Sequence, residues 1–274
     1  MATMTPPLDA ALVQQVLDRF NLAAASPTPD FLAALLEAYA QTVPWESAFR
    51  MVKRAQCGGD TAVCPRWPAE FWQDHLQRGG GGTCFESNYA FFSLLRALGF
   101  EGYLTINNMG ETVGCHTAIV AQLEGLNWLV DAGFPLYAPL LIDPQGTVGR
   151  ASRWQQYTVR PDGRARYQIE RAPHPKPNAF TLIDEPVSDA AYRAAATADY
   201  GPNGLFLDRV IINKVVNGRP YRYNAAENRD QMESFSGGRR IEHALDGDPV
   251  TAVAAHFQMD AGVLRAALEL QASS

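Results

Sequence analysis

Four consecutive glycines at 79–82, followed by Thr83, Cys84 and a helix-forming run, constrain this chain more than any other feature. Glycine loses more conformational freedom on folding than any other residue, so four in a row are costly unless the backbone must bend sharply or approach another segment closely. In TCFESNYAFFSLLRALGF, Thr83 and Glu86 have the S/T-x-x-E spacing of a capping box, and Gly99 stands where a C-terminal glycine cap belongs. The pattern predicts a helix that starts at the cysteine, with Cys84 in its first turn.

A thiol attacks as the thiolate, and a helix N-terminus favours negative charge. The free N–H groups of a first helical turn also suit an oxyanion. The stretch therefore reads as an elbow holding one sulfur at a positive helix end. The competing reading is a small core cysteine behind a flexible loop, with Glu86 as a cap residue and nothing more.

A cysteine nucleophile requires a base. CHTAIVAQL-EG-LNWLVDAGF reads as a hairpin turning on Glu124 and Gly125, with Leu123 opposite Leu126. Counting outward sets Ala118 against Asp131 and His116 against Gly133. His116 and Asp131 then share one face as diagonal neighbours, with Cβ atoms roughly 7 Å apart. Asp131 sits among apolar residues, where a lone carboxylate is costly unless paired. It suits the role of fixing the imidazole tautomer. The other reading of His116 is a solvated strand residue. His75 lies near the glycines, but Asp74 and Gln77 beside it suggest a solvated helix face; His174, His243 and His256 read as loop, surface or core.

At 274 residues, 47% hydrophobic and 19% charged, the chain is globular, with room for one large domain or two to three small subdomains around a shared core. A formal charge of −6 argues against a nucleic-acid partner. No window approaches the roughly 20 apolar residues of a membrane span. The opening MATMTPPLDAALVQQV has no basic segment leading into an apolar one, so no secretory leader is expected. Cys57, Cys64, Cys84 and Cys115 suggest no disulfide framework; Cys57 and Cys64 around GGDTAV could make a loop disulfide or half a metal site, but no CxxC or HxxxH partner exists. A reduced, cytoplasmic protein without a metal, monomeric or homodimeric, is expected.

Along the chain, residues 1–100 read as helical. Leu12, Val13, Val16, Leu17 and Phe20 recur at helical spacing, and a second helix, opened by Ser26 and Pro27, carries Phe31, Leu32, Leu35, Leu36 and Tyr39 up to Pro44. A loop over 50–68 and a short helix, PAEFWQDHLQ, precede the cysteine helix. Strand-like runs dominate 101–195: GYLTINNM, the hairpin, SRWQQYTVR and ARYQIER, with APHPKPNAF as loop. Residues 196–274 mix strands FLDRVIINKVV and PYRYNAAEN with a final helix interrupted near Met259 and Asp260. The fold expected is α+β: an N-terminal helical bundle, a central β-barrel and a C-terminal α/β lid.

Three stretches in order, PTPDFLAALLEAYAQTVPWES, RGGGGTCFESNYAFFSLLRALGF and HTAIVAQLEGLNWLVDAGF, resemble the arylamine N-acetyltransferase family, with its (I/V)-P-F-E-N, R-G-G-x-C-x-E-x-N and V-D-x-G-F-G motifs. The resemblance covers residues 8–135 well and the tail in general character. It implies that Cys84 is the acetylated nucleophile, His116 its base and Asp131 the orienter, while Glu46 is the motif acid with a structural role. It also implies a ping-pong reaction in which acetyl-CoA acetylates Cys84, CoA leaves, and an arylamine or arylhydrazine takes the acetyl group. Trp45 and Ser47 replace the usual Phe and Asn, Thr83 stands beside the nucleophile where an aromatic or arginine is common, and Pro135 replaces the last Gly. These departures bear on the acceptor amine and the acyl donor.

Phe134 is the expected pocket wall and Thr83 a substrate neighbour, whereas Phe85, Tyr89 and Phe92 read as helix core. For the CoA phosphates the tail offers one compact Gly/Arg cluster, Gly237, Gly238, Arg239 and Arg240, whose alternative is an ordinary basic turn. The same three-residue chemistry also serves a papain- or transglutaminase-like cysteine hydrolase, or an amide synthase using another acyl donor. A binding domain with an unreactive Cys84 is the third possibility.

Overall fold

The computed structural model describes residues 7–273. Helices α1 (Ala10–Phe20) and α2 (Pro29–Thr42) lead to a two-residue strand β1 (Trp45–Glu46), followed by α3 (Ala48–Gln56), α4 (Pro68–Arg78) and α5 (Cys84–Ala97). The caps explain the helix starts: Asp9 accepts from the Ala11 amide, and Thr28 accepts from the Phe31 amide with Pro29 at the first helical position. The second helix thus starts at Thr28–Pro29 and not at Ser26–Pro27, because Thr28 supplies the capping oxygen. α1, α2, α4 and α5 bury one core that includes Leu17, Leu32, Leu35, Phe71, Trp72 and Phe91. Trp72 meets Phe20, Tyr39 and Phe71 edge-on and donates its indole N–H to the Ala90 carbonyl at 3.0 Å.

Eight antiparallel strands follow: β2 (Glu101–Met109), β3 (Thr112–Leu123), β4 (Leu126–Val130), β5 (Leu140–Ile142), β6 (Val148–Ala151), β7 (Gln156–Pro161), β8 (Arg166–Ala172) and β9 (Asn178–Ile183). Their order is β5-β4-β3-β2-β9-β8-β7-β6, and the edge strands β5 and β6 touch, so the sheet nearly closes into a barrel. Val120, Leu129, Val159, Ile169, Phe180 and Leu182 fill its interior. The β3–β4 turn has Glu124 and Gly125 both in the left-handed region, at φ 55° and 75°, as a type I′ hairpin needs, and Leu123 pairs with Leu126 as the sequence predicts. The expected loop over 172–180 ends earlier than predicted. Only its proline-rich part is loop, and Ala179 and Phe180 turn inward on β9.

After α6 (Asp189–Ala198), which the sequence reading did not foresee, come β10 (Ile211–Val216), β11 (Arg219–Asn224), β12 (Gln231–Ser236), β13 (Arg239–Ala244), α7 (Pro249–Phe257) and α8 (Ala261–Ala272). These four strands form a second antiparallel sheet whose fifth member is β1, paired to β10 through Trp45–Asn213 and Glu46–Ile212. α3 also leaves the helical core. Its Ala48, Phe49 and Met51 pack with Ile212, Tyr223, Phe257 and Leu264. The break between α7 and α8 falls where expected, with Gln258 at φ 60° and Asp260 capping the next helix through the Val263 amide. The bundle, barrel and α/β layers of the predicted α+β class are all present. Among the described residues no helix is long and apolar enough to cross a membrane, and all four cysteines are free thiols.

Candidate active site

Backbone contact, more than turn geometry, accounts for the glycines. A Cβ on Gly81 would lie 1.7 Å from the Pro44 carbonyl oxygen, one on Gly79 would lie 1.8 Å from the Gln258 carbonyl oxygen, and one on Gly80 would meet the Phe49 ring at 2.8 Å. Of the four, only Gly79 has a left-handed φ, 67°, where it closes α4. The loop is threaded between β1, α3 and the start of α8, and glycine is the residue that fits.

Buried polar groups then fasten it. Glu46 accepts from the amides of Gly81 (3.2 Å) and Phe49 (2.9 Å), and its own amide donates to the Gly82 carbonyl (3.2 Å). Arg66 donates to the Gly81 carbonyl and to Glu86, both at 2.6 Å, and its amide also donates to Glu86. The Tyr200 hydroxyl donates to Glu86 at 2.5 Å. Burial alone would raise the Glu86 pKa, but Arg66 and the bonds from Arg66 and Tyr200 hold it below the ordinary carboxylate range; burial keeps Glu46 raised. His75 is buried too, not on a solvated face, and its Nδ1 lies 3.0 Å from the Gly80 carbonyl oxygen.

The predicted capping box does not form. Thr83 is the N-cap by position, yet its hydroxyl makes no capping bond and is buried without a partner. Glu86 faces Arg66 instead of the Thr83 amide, because a buried guanidinium competes better for a carboxylate than one amide does. The first-turn amides of α5 thus donate no hydrogen bond to the N-cap side chain.

Cys84, half-buried at that helix start, packs against Gly133, where a Cβ would lie 2.4 Å from Cys84 Cα. Its thiol makes a weak hydrogen bond to the Cys115 carbonyl at 3.7 Å, next to His116 in the chain. Burial pushes the thiol above the ordinary cysteine range, with Asp199 and Asp131 adding to the rise and Arg50 opposing it. Burial thus works against the negative charge that a helix start favours. Sulfur ionisation here needs a base that keeps the resulting charge pair inside the site.

His116 and Asp131, both buried, are joined by a 2.6 Å contact from Nε2 to Oδ2. Asp131 Oδ1 accepts three further bonds: from Asn88 Nδ2 (2.9 Å) and from the Gly133 and Phe134 amides (2.8 Å each). A carboxylate so satisfied stays a fixed acceptor, so the Nε2 proton lies toward it and Nδ1 is the ring's basic atom. Phe134 and Phe180 flank the imidazole, with ring centroids 5.9 and 4.6 Å away.

Three supports escaped the sequence reading. Asn88, one turn after Cys84 on the same helix, bonds Asp131, the Thr117 carbonyl and the Ala132 amide; its i, i+4 spacing from the cysteine was a usable signal. Arg66 comes from a loop with no periodicity to mark it. Tyr192 on α6 donates to the Phe85 carbonyl at 2.9 Å and contacts Thr117, in an element not foreseen.

Gly237 and Gly238 form the two-residue turn between β12 and β13, with φ 55° and 76°. Arg239 after them is exposed, and Arg240 is engaged by Glu233 and Glu242. A Cβ on Gly238 would touch Pro173, in the β8–β9 loop. Among the described residues no group of three or more His, Cys, Asp or Glu could hold a metal ion.

The geometry can be set beside known proteins. The arylamine N-acetyltransferase of Salmonella typhimurium superposes with a TM-score of 0.77 at 15% identity, over 97% of this chain and 99% of that one. That of Mycobacterium marinum, in complex with CoA, gives 0.76 at 17% identity over 93% and 98%. One from Bacillus cereus, with a Cys-His-Glu catalytic triad, gives 0.73 at 18% over 92% and 100%. At these identities the likeness concerns the fold. No curated protein matches the chain. The N-acetyltransferase family model matches residues 30–172, just over half of the chain and the whole segment from α2 through the cysteine loop to β8, so the chain is an enzyme belonging to the arylamine N-acetyltransferase family.

Proposed function

We propose that this acetyltransferase moves an acetyl group from acetyl-CoA to an aromatic amine or hydrazine through a thioester on Cys84. The observation that carries the reading is the buried His116–Asp131 pair beside a helix-start cysteine.

In the first half-reaction His116 Nδ1 takes the Cys84 proton as the sulfur attacks the acetyl carbonyl. The imidazolium sits against Asp131, which stabilises the charge without taking the proton. First-turn amides of α5 suit the oxyanion, since no capping hydroxyl occupies them. Collapse of the tetrahedral intermediate expels CoA, which leaves as the thiol with the proton from His116. In the second half-reaction the amine attacks the thioester, His116 accepts the amine proton, and the Cys84 sulfur leaves. Phe134, Phe180 and Thr83 would line the acceptor side, where aromatic walls keep water from the acyl-enzyme. Gly237, Gly238 and Arg239 are proposed as a CoA phosphate contact; Arg240, held by two glutamates, is not. We further propose three functional parts: 1–100 supplying the nucleophile, 101–195 the base and orienter, and 196–274 a lid.

Intact-protein mass after brief mixing with acetyl-CoA tests the reading. One acetyl group should appear on the parent, none on Cys84→Ala, and an arylamine chase should remove it with matching amide formed. His116→Gln should leave the thiol slow to acetylate near neutral pH. No adduct on the parent, with Cys84 still open to alkylation, overturns acetyl-CoA as donor.

A further inference from the structure

Arg171 is a cation without a counter-charge, facing the site. It pairs with Tyr157 across the β7–β8 ladder and follows Tyr167 and Ile169 on the inward face of β8, so its side chain enters the barrel. Its guanidinium lies over the Phe134 ring, 4.4 Å from the centroid. Phe134 in turn lies edge-on to His116. Arg171 Nε is buried and has no hydrogen-bond partner, and among the described residues no carboxylate lies within salt-bridge distance of the side chain. The adjacent Glu170 projects to the other side of the strand and is taken by Arg160 at 2.9 Å. Burial pulls Arg171 below its ordinary value, opposed only by the tyrosines 157 and 137.

A partly desolvated charge with no counter-ion and one unpaired N–H carries a cost that an anion would relieve. The other buried guanidiniums of this protein show the usual remedy: Arg50 pairs with Asp199 at 2.7 Å and Arg66 with Glu86. Arg171 has only an aromatic face. With Phe134 between them at 4.4 and 5.9 Å, the guanidinium and the imidazole are near enough for one aromatic ring, with its substituents and their hydrogen bonds, to bridge. Its side chain is only half-buried, so part of it stays open to solvent.

We propose that Arg171 is a specificity-determining residue that binds an anionic substituent, a carboxylate, at the far end of the aromatic acceptor whose amine meets His116. This rests on the transferase reading. An acceptor bearing that group supplies the missing charge, stacks its ring along Phe134 and directs its amine toward Nδ1.

The test compares 4-aminobenzoate with its neutral isostere 4-aminobenzamide, using acetyl-CoA and the parent, Arg171→Gln and Arg171→Lys proteins. In Arg171→Gln, kcat/KM for the benzoate should fall about 10- to 100-fold, mainly through KM, and for the amide by less than about 2-fold. Arg171→Lys should recover part of the loss, since a point charge lacks the fork. Equal losses for both acceptors would make Arg171 merely structural and overturn the proposal. A raised KM for acetyl-CoA with both acceptors otherwise unaffected would assign the anion to the donor's phosphates and overturn it as well. If the parent acetylates no amine, the transferase reading fails. Calorimetric titration of 4-aminobenzoate then decides the anion site separately: binding by the parent that Arg171→Gln loses supports it, and equal binding or none overturns it.

Discussion

Two of the chain's glycine turns, 79–82 and 237–238, differ in kind. At 79–82 the glycines are surrounded: Pro44, Phe49, Gln258 and the Glu86 side chain crowd the space a Cβ would take, and Arg66 and Glu46 hydrogen-bond the Gly81 backbone. At Gly237 and Gly238 the requirement is conformational. Both have φ in the left-handed region, Gly237 has open space around it, and the turn merely links β12 to β13. The first turn aims a sulfur because its surroundings admit one path; the second is a hairpin turn joining β12 to β13. Glycine clusters are therefore evidence of a site when packing demands them and of a hairpin when dihedrals do. Substitutions at the two places should separate the cases.

Gly81→Ala should do the most damage. Ordinary overpacking costs about 1–3 kcal/mol, and here both colliding atoms belong to backbone, so we expect a loss above about 4 kcal/mol in urea unfolding. A loss under about 1 kcal/mol would mean the loop can shift without cost and that its path is not fixed by contact. Glu86→Ala removes the carboxylate from a buried guanidinium, leaving Arg66 with Asp74 at 3.3 Å and the more distant Glu46. Loss of one partner from a buried pair costs about 3–5 kcal/mol, and the lower end is expected because those two remain.

Acid should loosen the first turn in a way that depends on His75. Burial lowers its pKa to about 4 from 6.5, with the Gly80 contact acting against the shift, and its Nε2 is buried without a partner. The folded state therefore binds a proton less readily than the unfolded chain. Stability from this group is complete above pH 6.5 and is lost as pH falls toward 4, by up to about 3 kcal/mol. His75→Leu should flatten that part of the pH–stability curve. If the parent and the variant lose stability in parallel over this range, His75 is not the group responsible.

How far the sequence revealed this contrast depended on distance along the chain. The β3–β4 register follows from a two-residue turn and strand alternation, both local, so counting sufficed to make His116 and Asp131 neighbours. The α7–α8 break is local too. The capping box misled because Arg66, eighteen residues upstream of Cys84 in an irregular segment, captures Glu86, and nothing local announces such a partner. The same holds for β1, a two-residue strand whose partner β10 lies at the other end of the chain. Strand β9 was masked by the prolines before it, and the thiol's raised pKa by burial that no single segment encodes.

The smallest effect is expected at the second turn, and it sharpens the comparison from the other side. Gly237→Ala places a Cβ in open space, so only the left-handed φ of 55° is opposed, at a cost of about 1 kcal/mol. Gly238→Ala adds a contact at 2.9 Å with the Pro173 side chain, which is ring atoms at the surface and not backbone. Urea midpoints for the two variants should therefore lie close together and near the parent, with acetyl loading of Cys84 at saturating donor unchanged. The informative readout is the donor concentration needed for half-loading. A rise in Gly238→Ala with stability intact would mean that the turn's backbone meets the coenzyme, as proposed. An unchanged value in both variants, and in Arg239→Gln, would leave the hairpin as a turn and send the search for the phosphate contact elsewhere on the molecule.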